Sequence, residues 1–133
     1  TNGAARSAMG FSNWNYVAIF SKESVYKCSQ DIIKITLNPK DSNITQHKGR
    51  KPFGLIKKLI EIFAPGNDDI IVDPFLGSGT TLLAIEDMNH IIECFDGKHY
   101  NRICIGAEIS KKYCEEIINR WEKLTGLKHE RYY

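Results

Sequence analysis

The apolar positions change period along the chain, and the changes mark out the elements. Residues 1–13 are small and polar and read as a loop. Trp14 to Phe20 is aromatic and β-branched, which predicts a strand, and Asp31 to Leu37 roughly alternates and predicts a second. Residues 38–52 carry Asn38-Pro39, Asp41-Ser42-Asn43, Gly49 and Lys51-Pro52, the composition of a loop. From Gly54 to Ala64 the period becomes helical. Leu55, Ile56, Leu59, Ile60, Ile62 and Phe63 share one broad face, and Pro65-Gly66 stops the helix. Asp69 to Asp73 is a short apolar run with polar ends, the form of a buried parallel strand. A Gly-rich turn at 74–79 leads into a helix over Thr80 to Met88. Ile91 to Phe95 and Ile103 to Ala107 predict two further strands, with the turn pair Asp96-Gly97 between them. Ser110 suits a helix N-cap. Tyr113, Cys114, Ile117, Ile118, Trp121 and Leu124 form the stripe after it, and Gly126 stands where that helix ends. Helix, strand, Gly-rich turn, helix, strand and helix in this order predict an α/β fold with a parallel sheet.

Composition narrows the class. The 133 residues match one domain by length, and 42% hydrophobic content supplies a core. A net charge of +2 neither requires nor excludes a nucleic-acid partner. No apolar run approaches the roughly 20 residues of a membrane span, so no membrane association is expected. Cys28, Cys94, Cys104 and Cys114 form no C-x-x-C pair or zinc spacing. They read as buried or half-buried thiols of a reducing, cytoplasmic compartment, and no metal site is expected.

The chemistry concentrates in Asp73-Pro74-Phe75-Leu76-Gly77-Ser78-Gly79-Thr80-Thr81, between an apolar strand and a helix. Glycines there allow a sharp turn and close approach of a ligand to the main chain, and the helix N-terminus favours an anionic group. A P-loop requires Lys after the last glycine, and none follows Gly79. The dinucleotide fingerprint requires a third small residue where Leu82 stands. A zwitterion such as S-adenosylmethionine suits the mixture better, its carboxylate at the helix N-terminus and its amine near Asp73. The bland alternative is a structural tight turn. Glu108, in Ile105-Gly106-Ala107-Glu108, ends the next strand, where a carboxylate accepts both hydroxyls of a ribose. Taken alone, a strand-end Glu is more often simply solvated. His47-Lys48-Gly49-Arg50-Lys51-Pro52 suits phosphate contact or, more plainly, a solvated basic loop.

In combination these residues resemble the amino-group-directed DNA methyltransferases that use S-adenosylmethionine, in the subgroup whose cofactor loop lies in the C-terminal part. The likeness runs over about residues 47–125: His47, Lys51-Pro52, the helix at 54–64, the Asp73–Thr81 block, Ile105–Glu108, and Tyr113 in the last helix. The WNYVAIFSK run at 14–22 resembles the aromatic strand before that block. The resemblance implies a Rossmann-like sheet flanked by helices, of which this chain is the C-terminal portion. Residues 1–46 would end the target-recognition region, 47–126 would bind the cofactor, and 127–133 would be a tail. By the same resemblance Phe75, Gly77 and Gly79 wrap the cofactor's amino-acid end with Asp73 nearby. Thr80 and Thr81 open the helix under its carboxylate, Lys51 and Pro52 line the methionyl side, and Glu108 binds the ribose.

Two departures stand out. Lys48 takes the place of the family's Pro after the His, and the interval from Thr81 to Ile105 is longer than the family's, which predicts a hairpin-like excursion over 91–102. The family's catalytic block, [DNS]-P-P-[YFW], is absent: Pro39, Pro52, Pro65 and Pro74 are the only prolines, and none are adjacent. No catalytic residue is therefore assigned here, and the chain alone is expected to be inactive. In the resembled fold the catalytic strand pairs with the cofactor strand, so its absence leaves an apolar parallel edge, an aggregation hazard. With Thr1 in place of an initiator Met, the expectation is one part of a larger protein, or a sheet completed by a second chain. The complete protein would methylate the exocyclic amino group of adenine or cytosine in DNA, as in restriction-modification, in a bacterial, archaeal or phage-infected cell. The alternative is a non-catalytic methyltransferase-like subunit or paralogue that binds DNA or a partner chain.

Overall fold

The computed structural model describes residues 6–7, 10–11, 17–18, 20, 33, 51–95 and 100–132. Near the start, β1 (Arg6–Ser7) and β2 (Gly10–Phe11) pair antiparallel, Arg6 opposite Phe11 and Ser7 opposite Gly10. Within the segment whose composition reads as a loop, these four residues thus form a minimal two-stranded ladder. The strands expected over 14–20 and 31–37 lie largely outside the described residues, and Val17, Ala18, Phe20 and Ile33 belong to no regular element.

Helix α1 (Phe53–Phe63) begins one residue before the stripe predicts. Pro52 occupies its N-cap position with φ −58°, and the Pro52 carbonyl accepts from Leu55 N (3.1 Å) and Ile56 N (3.3 Å). Proline suits this place because its missing N–H would have had no helical partner. Ala64 N–H closes the last turn on the Ile60 carbonyl at 2.8 Å, and Pro65 then ends the element. Strand β3 (Ile70–Asp73) follows.

Helix α2 runs from Thr80 to Phe95, so residues 91–95 continue the helix instead of forming the expected strand. Neither Gly nor Pro interrupts Thr80–Phe95, and Ala84, Met88, Ile91, Ile92 and Phe95 keep the 3–4 residue spacing of a helical stripe. A short apolar run is ambiguous between strand and helix by period, and here continuity with the preceding turns decides. No hairpin therefore starts at 91; its Asp96-Gly97 turn lies outside the described residues. The next strand, β4 (Ile103–Gly106), pairs parallel with β3 in the register Ile70–Ile103, Ile71–Cys104, Val72–Ile105 and Asp73–Gly106. Helix α3 (Lys111–Thr125) closes the described fold, with Ser110 at its N-cap position but making no side-chain cap bond. Gly126 ends it at φ 74°, and its N–H bonds the Glu122 carbonyl.

The core lies between α1, α2 and one face of the sheet. Ile60, Ala84, Ile85 and Met88 are buried, and Phe53, Ile56, Ala64, Ile71 and Cys104 pack against them. Lys57 of α1 pairs with Asp87 of α2 and lies 5.0 Å from the Phe53 ring centre. Arg102, 5% exposed, pins the start of β4. Its Nε donates to the Ala64 carbonyl at 3.2 Å, its guanidinium covers the Tyr100 ring at 4.2 Å, and Asn89 bonds its main chain on both sides. The opposite sheet face is open among the described residues: Ile70 is 61% exposed, Val72 64%, Ile103 49% and Ile105 53%. Among the described residues, the burial of the run Asp69–Asp73 is thus one-sided where its sequence predicts cover on both faces. Period-2 alternation sends Ile71 and Cys104 to the helices and their neighbours the other way.

Candidate functional site

β3 and β4 end on the same rung, Asp73 opposite Gly106, so the loops leaving them lie side by side at the carboxyl end of the sheet. Parallel α/β sheets place ligands at that end. Backbone bonds seal the loops together: Ala107 N donates to the Asp73 carbonyl (3.0 Å), and Leu76 N donates to the Ala107 carbonyl (2.8 Å). The approach depends on Gly106, where a Cβ atom would stand 2.7 Å from Leu76 Cδ2.

The first loop turns through two left-handed glycines, Gly77 at φ 57° and Gly79 at φ 76°. Gly79 is constrained twice. Its φ suits glycine, and a Cβ there would meet the buried Ile117 side chain at 2.9 Å. Gly79 N–H donates to the Leu76 carbonyl (2.8 Å), and the Gly79 carbonyl accepts from Leu83 N (3.0 Å) as α2 begins.

Two carboxylates hold this turn. Asp73 Oδ1 accepts from Phe75 N (3.0 Å), and Oδ2 accepts from the Thr81 hydroxyl (2.6 Å), tying the strand end to the first turn of α2. Glu108 reaches across from the other loop. Its Oε2 accepts from Gly77 N (2.9 Å), and its Oε1 accepts from Ser110 N (2.7 Å). Each carboxylate oxygen has a second lone pair, so neither group is saturated by these bonds. Below them the hydroxyls of Ser78 and Thr80, both residues buried, lie 3.1 Å apart. Cys104, two rungs below Gly106, has its thiol pushed up to about 11 by burial first and then by the charges of Asp73 and Glu86.

Asp73, Phe75, Gly77, Gly79, Thr80, Thr81 and Glu108 therefore form one connected structure. Phe75 stands at its mouth, 88% exposed. Thr80 serves the interior of the loop rather than its mouth, and the Thr81 hydroxyl is engaged by Asp73. Lys51 is exposed and Pro52 half-buried at the head of α1, and none of the bonds above joins either to the Gly-rich turn. Two further residues stand at the site. Ile109 directly follows Glu108 and is fully exposed, an apolar side chain standing free beside the mouth. Arg120 on α3 donates from Nη1 to the Ser78 carbonyl behind the turn. An aliphatic residue next to a strand-end acid was the available signal for Ile109; nothing in the sequence pattern marks Arg120. Among the described residues, no group of three or more His, Cys, Asp and Glu side chains is placed to hold a metal ion. None of their helices is long and apolar enough to cross a membrane.

The donor set discriminates between ligands. Two carboxylates flanking the turn repel a polyphosphate and attract cationic and hydroxyl groups, while main-chain N–H groups at the head of α2 suit a carboxylate. A ligand that carries an ammonium or sulfonium charge, a carboxylate and a ribose meets all of these groups.

The family model described as DNA methylase matches residues 11–120. The type II methyltransferase M.ScaI of Streptomyces caespitosus is 32% identical over 91 residues, which are 67% of this chain and 26% of that protein. M.HindIII of Haemophilus influenzae, also a type II methyltransferase, is 39% identical over 59 residues, 44% of this chain and 18% of its own length. Among solved structures, the M1.HpyAVI–SAM complex aligns over 89% of this chain and 48% of its own, at 27% identity and a TM-score of 0.48. The chain thus spans a quarter or less of the length of most curated relatives that it matches.

Proposed function

The chain belongs to the DNA methylase family, and from that premise we propose that it is the cofactor-binding portion of an S-adenosylmethionine-dependent DNA methyltransferase. The observation that supports this reading best is the pair of half-exposed carboxylates, Asp73 and Glu108, at adjacent strand ends, both bonded into one Gly-rich turn. In this proposal the cofactor supplies an electrophilic methyl group on its sulfonium. Glu108 accepts the ribose hydroxyls on the lone pairs left by Gly77 N and Ser110 N. Asp73 faces the cationic amine, the Phe75–Gly77 backbone wraps the amino-acid end, and Thr80 and Thr81 brace the turn from within. Phe75 and Ile109 give the mouth apolar walls that exclude water. Lys51 and Pro52 line the methionyl side from the head of α1.

The reaction proposed for the complete protein is transfer of that methyl to the exocyclic amino group of adenine or cytosine in duplex DNA. No two prolines are adjacent in these residues. The groups that polarise the target amine are therefore assigned to a segment or chain outside them, and the chain by itself to cofactor binding without turnover.

Titration calorimetry with S-adenosylmethionine tests the site. Glu108→Gln removes the charge and turns one acceptor oxygen into a donor. A hydrogen bond to a charged group contributes about 1.5–3 kcal/mol, so affinity should fall roughly 10- to 100-fold. Equal affinity in the Gln variant would remove Glu108 from the site, and absence of binding by the unaltered chain would refute the reading. Transfer of labelled methyl from the cofactor to duplex DNA by the complete protein tests the reaction.

A further inference from the structure

The planar peptide between Ser78 and Gly79 is gripped at both ends. Its N–H donates to the Leu76 carbonyl at 2.8 Å, within the turn. Its C=O accepts from Arg120 of α3, 42 residues away in the chain. Because a peptide unit is rigid, fixing both polar ends holds its plane, and with the Gly79 carbonyl held by Leu83 N at 3.0 Å this favours the φ of +76° at Gly79. One helical turn before Arg120, on the same face of α3, Ile117 fills the space that a Gly79 side chain would take. Ser78 and Ile117 are both buried and Arg120 is half-buried, so the bond is partly shielded from competing water. α3 therefore backs the turn with a side chain that excludes the wrong conformation and a cation that holds the right one.

We propose that Arg120 is a positioning residue for the cofactor-binding turn. It acts through the Ser78 carbonyl and keeps the Gly77–Thr81 main chain in the shape that receives the ligand. The inference rests on the cofactor-site reading for its consequence in binding, but not for its consequence in loop order. Arg120 touches no ligand in this scheme, and its cation lies on the inner side of the turn. Guanidinium is suited to the role because it stays charged and presents several N–H donors in a fixed plane.

The test uses Arg120→Met, which keeps the length and loses the donors, and Arg120→Lys, which restores the charge and one donor. Amide exchange should rise about tenfold at Gly77–Thr81 in the Met variant, the effect of one charge-assisted bond, with β3 and β4 protected as before. Affinity for S-adenosylmethionine should fall by a similar factor, and Lys should recover part of both losses. Exchange and affinity unchanged in the Met variant would overturn the proposal, as would exchange raised equally along β3, β4 and α2. If Arg120→Met does not fold, Arg120→Lys decides. Faster exchange confined to the turn supports the proposal, and unchanged or uniformly raised exchange overturns it. Should the unaltered chain not bind the cofactor, the site reading fails while the exchange data still decide the role of Arg120.

Discussion

Gly79 and Gly126 form a natural pair for separating backbone strain from packing. Their φ values are nearly equal, +76° and +74°, but a Cβ at Gly79 would lie 2.9 Å from Ile117 Cγ1 and 3.0 Å from Cγ2, whereas a Cβ at Gly126 meets nothing within 4 Å. Gly126→Ala should therefore cost only the left-handed penalty of about 1–2 kcal/mol, partly offset by roughly 0.4–1 kcal/mol from a stiffer unfolded chain. Gly79→Ala carries the same penalty plus overpacking of about 1–3 kcal/mol, because Ile117 is 6% exposed and has little room to yield. The expected ordering is a loss at Gly79 exceeding that at Gly126 by about 1–3 kcal/mol. Urea unfolding followed by circular dichroism measures both, provided the slope of the transition is unchanged. Ile117→Ala in the Gly79→Ala background should recover part of the excess, and a double-mutant cycle reads that coupling directly. Equal losses at the two glycines, or a cycle with no coupling, would refute the packing argument.

Two further outcomes follow from the electrostatics. With its thiol pushed up to about 11, Cys104 should be about one part in a thousand thiolate near pH 8, so peptide-resolved mass spectrometry should find it alkylated by iodoacetamide far more slowly than free cysteine; equal rates would contradict the burial described. Glu122 is held down to about 2, first by its bond with the His129 ring (2.9 Å), then by Lys128 (3.0 Å) and the His129 main chain. A carboxyl lowered in the folded state contributes its stability above its ordinary 4.5 and loses it as pH falls toward about 2. The tail should therefore stay on α3 near neutrality and loosen across that interval, seen as a falling protection factor at the His129 amide, its exchange rate being referred to the intrinsic rate at each pH; a tail indifferent to acid would exclude the Glu122 clasp.

The legible parts of the molecule are those fixed by local rules. The stripe of α1, the glycine stop at Gly126 and the strand–glycine–helix sequence at 70–80 each rest on neighbours within a few residues. Ile91–Phe95 was misleading because five residues are too few to separate the two periods, and only the preceding turns of α2 resolve them. The same contrast runs through the site. Asp73 and Glu108 stand out by sitting at strand ends beside a Gly-rich run. That Glu108 captures Gly77 N–H, 31 residues away, and that Arg120 captures the Ser78 carbonyl depend on which loops the sheet and α3 bring together. The face of β3 and β4 left open among the described residues is a tertiary fact as well, since alternation assigns sides to residues without saying whether either side is covered.

The double attachment of Glu108 has one more consequence. Its carboxylate ties the turn after β3 to the loop after β4, so the two cannot be ordered separately. A ligand fragment that steadies one loop reduces the conformational entropy still to be lost by the other. At the proposed site, amino-acid and nucleoside pieces binding at the two ends would therefore each favour the other's arrival, a cooperativity that Glu108 shares with the main-chain bonds of Leu76 and Ala107.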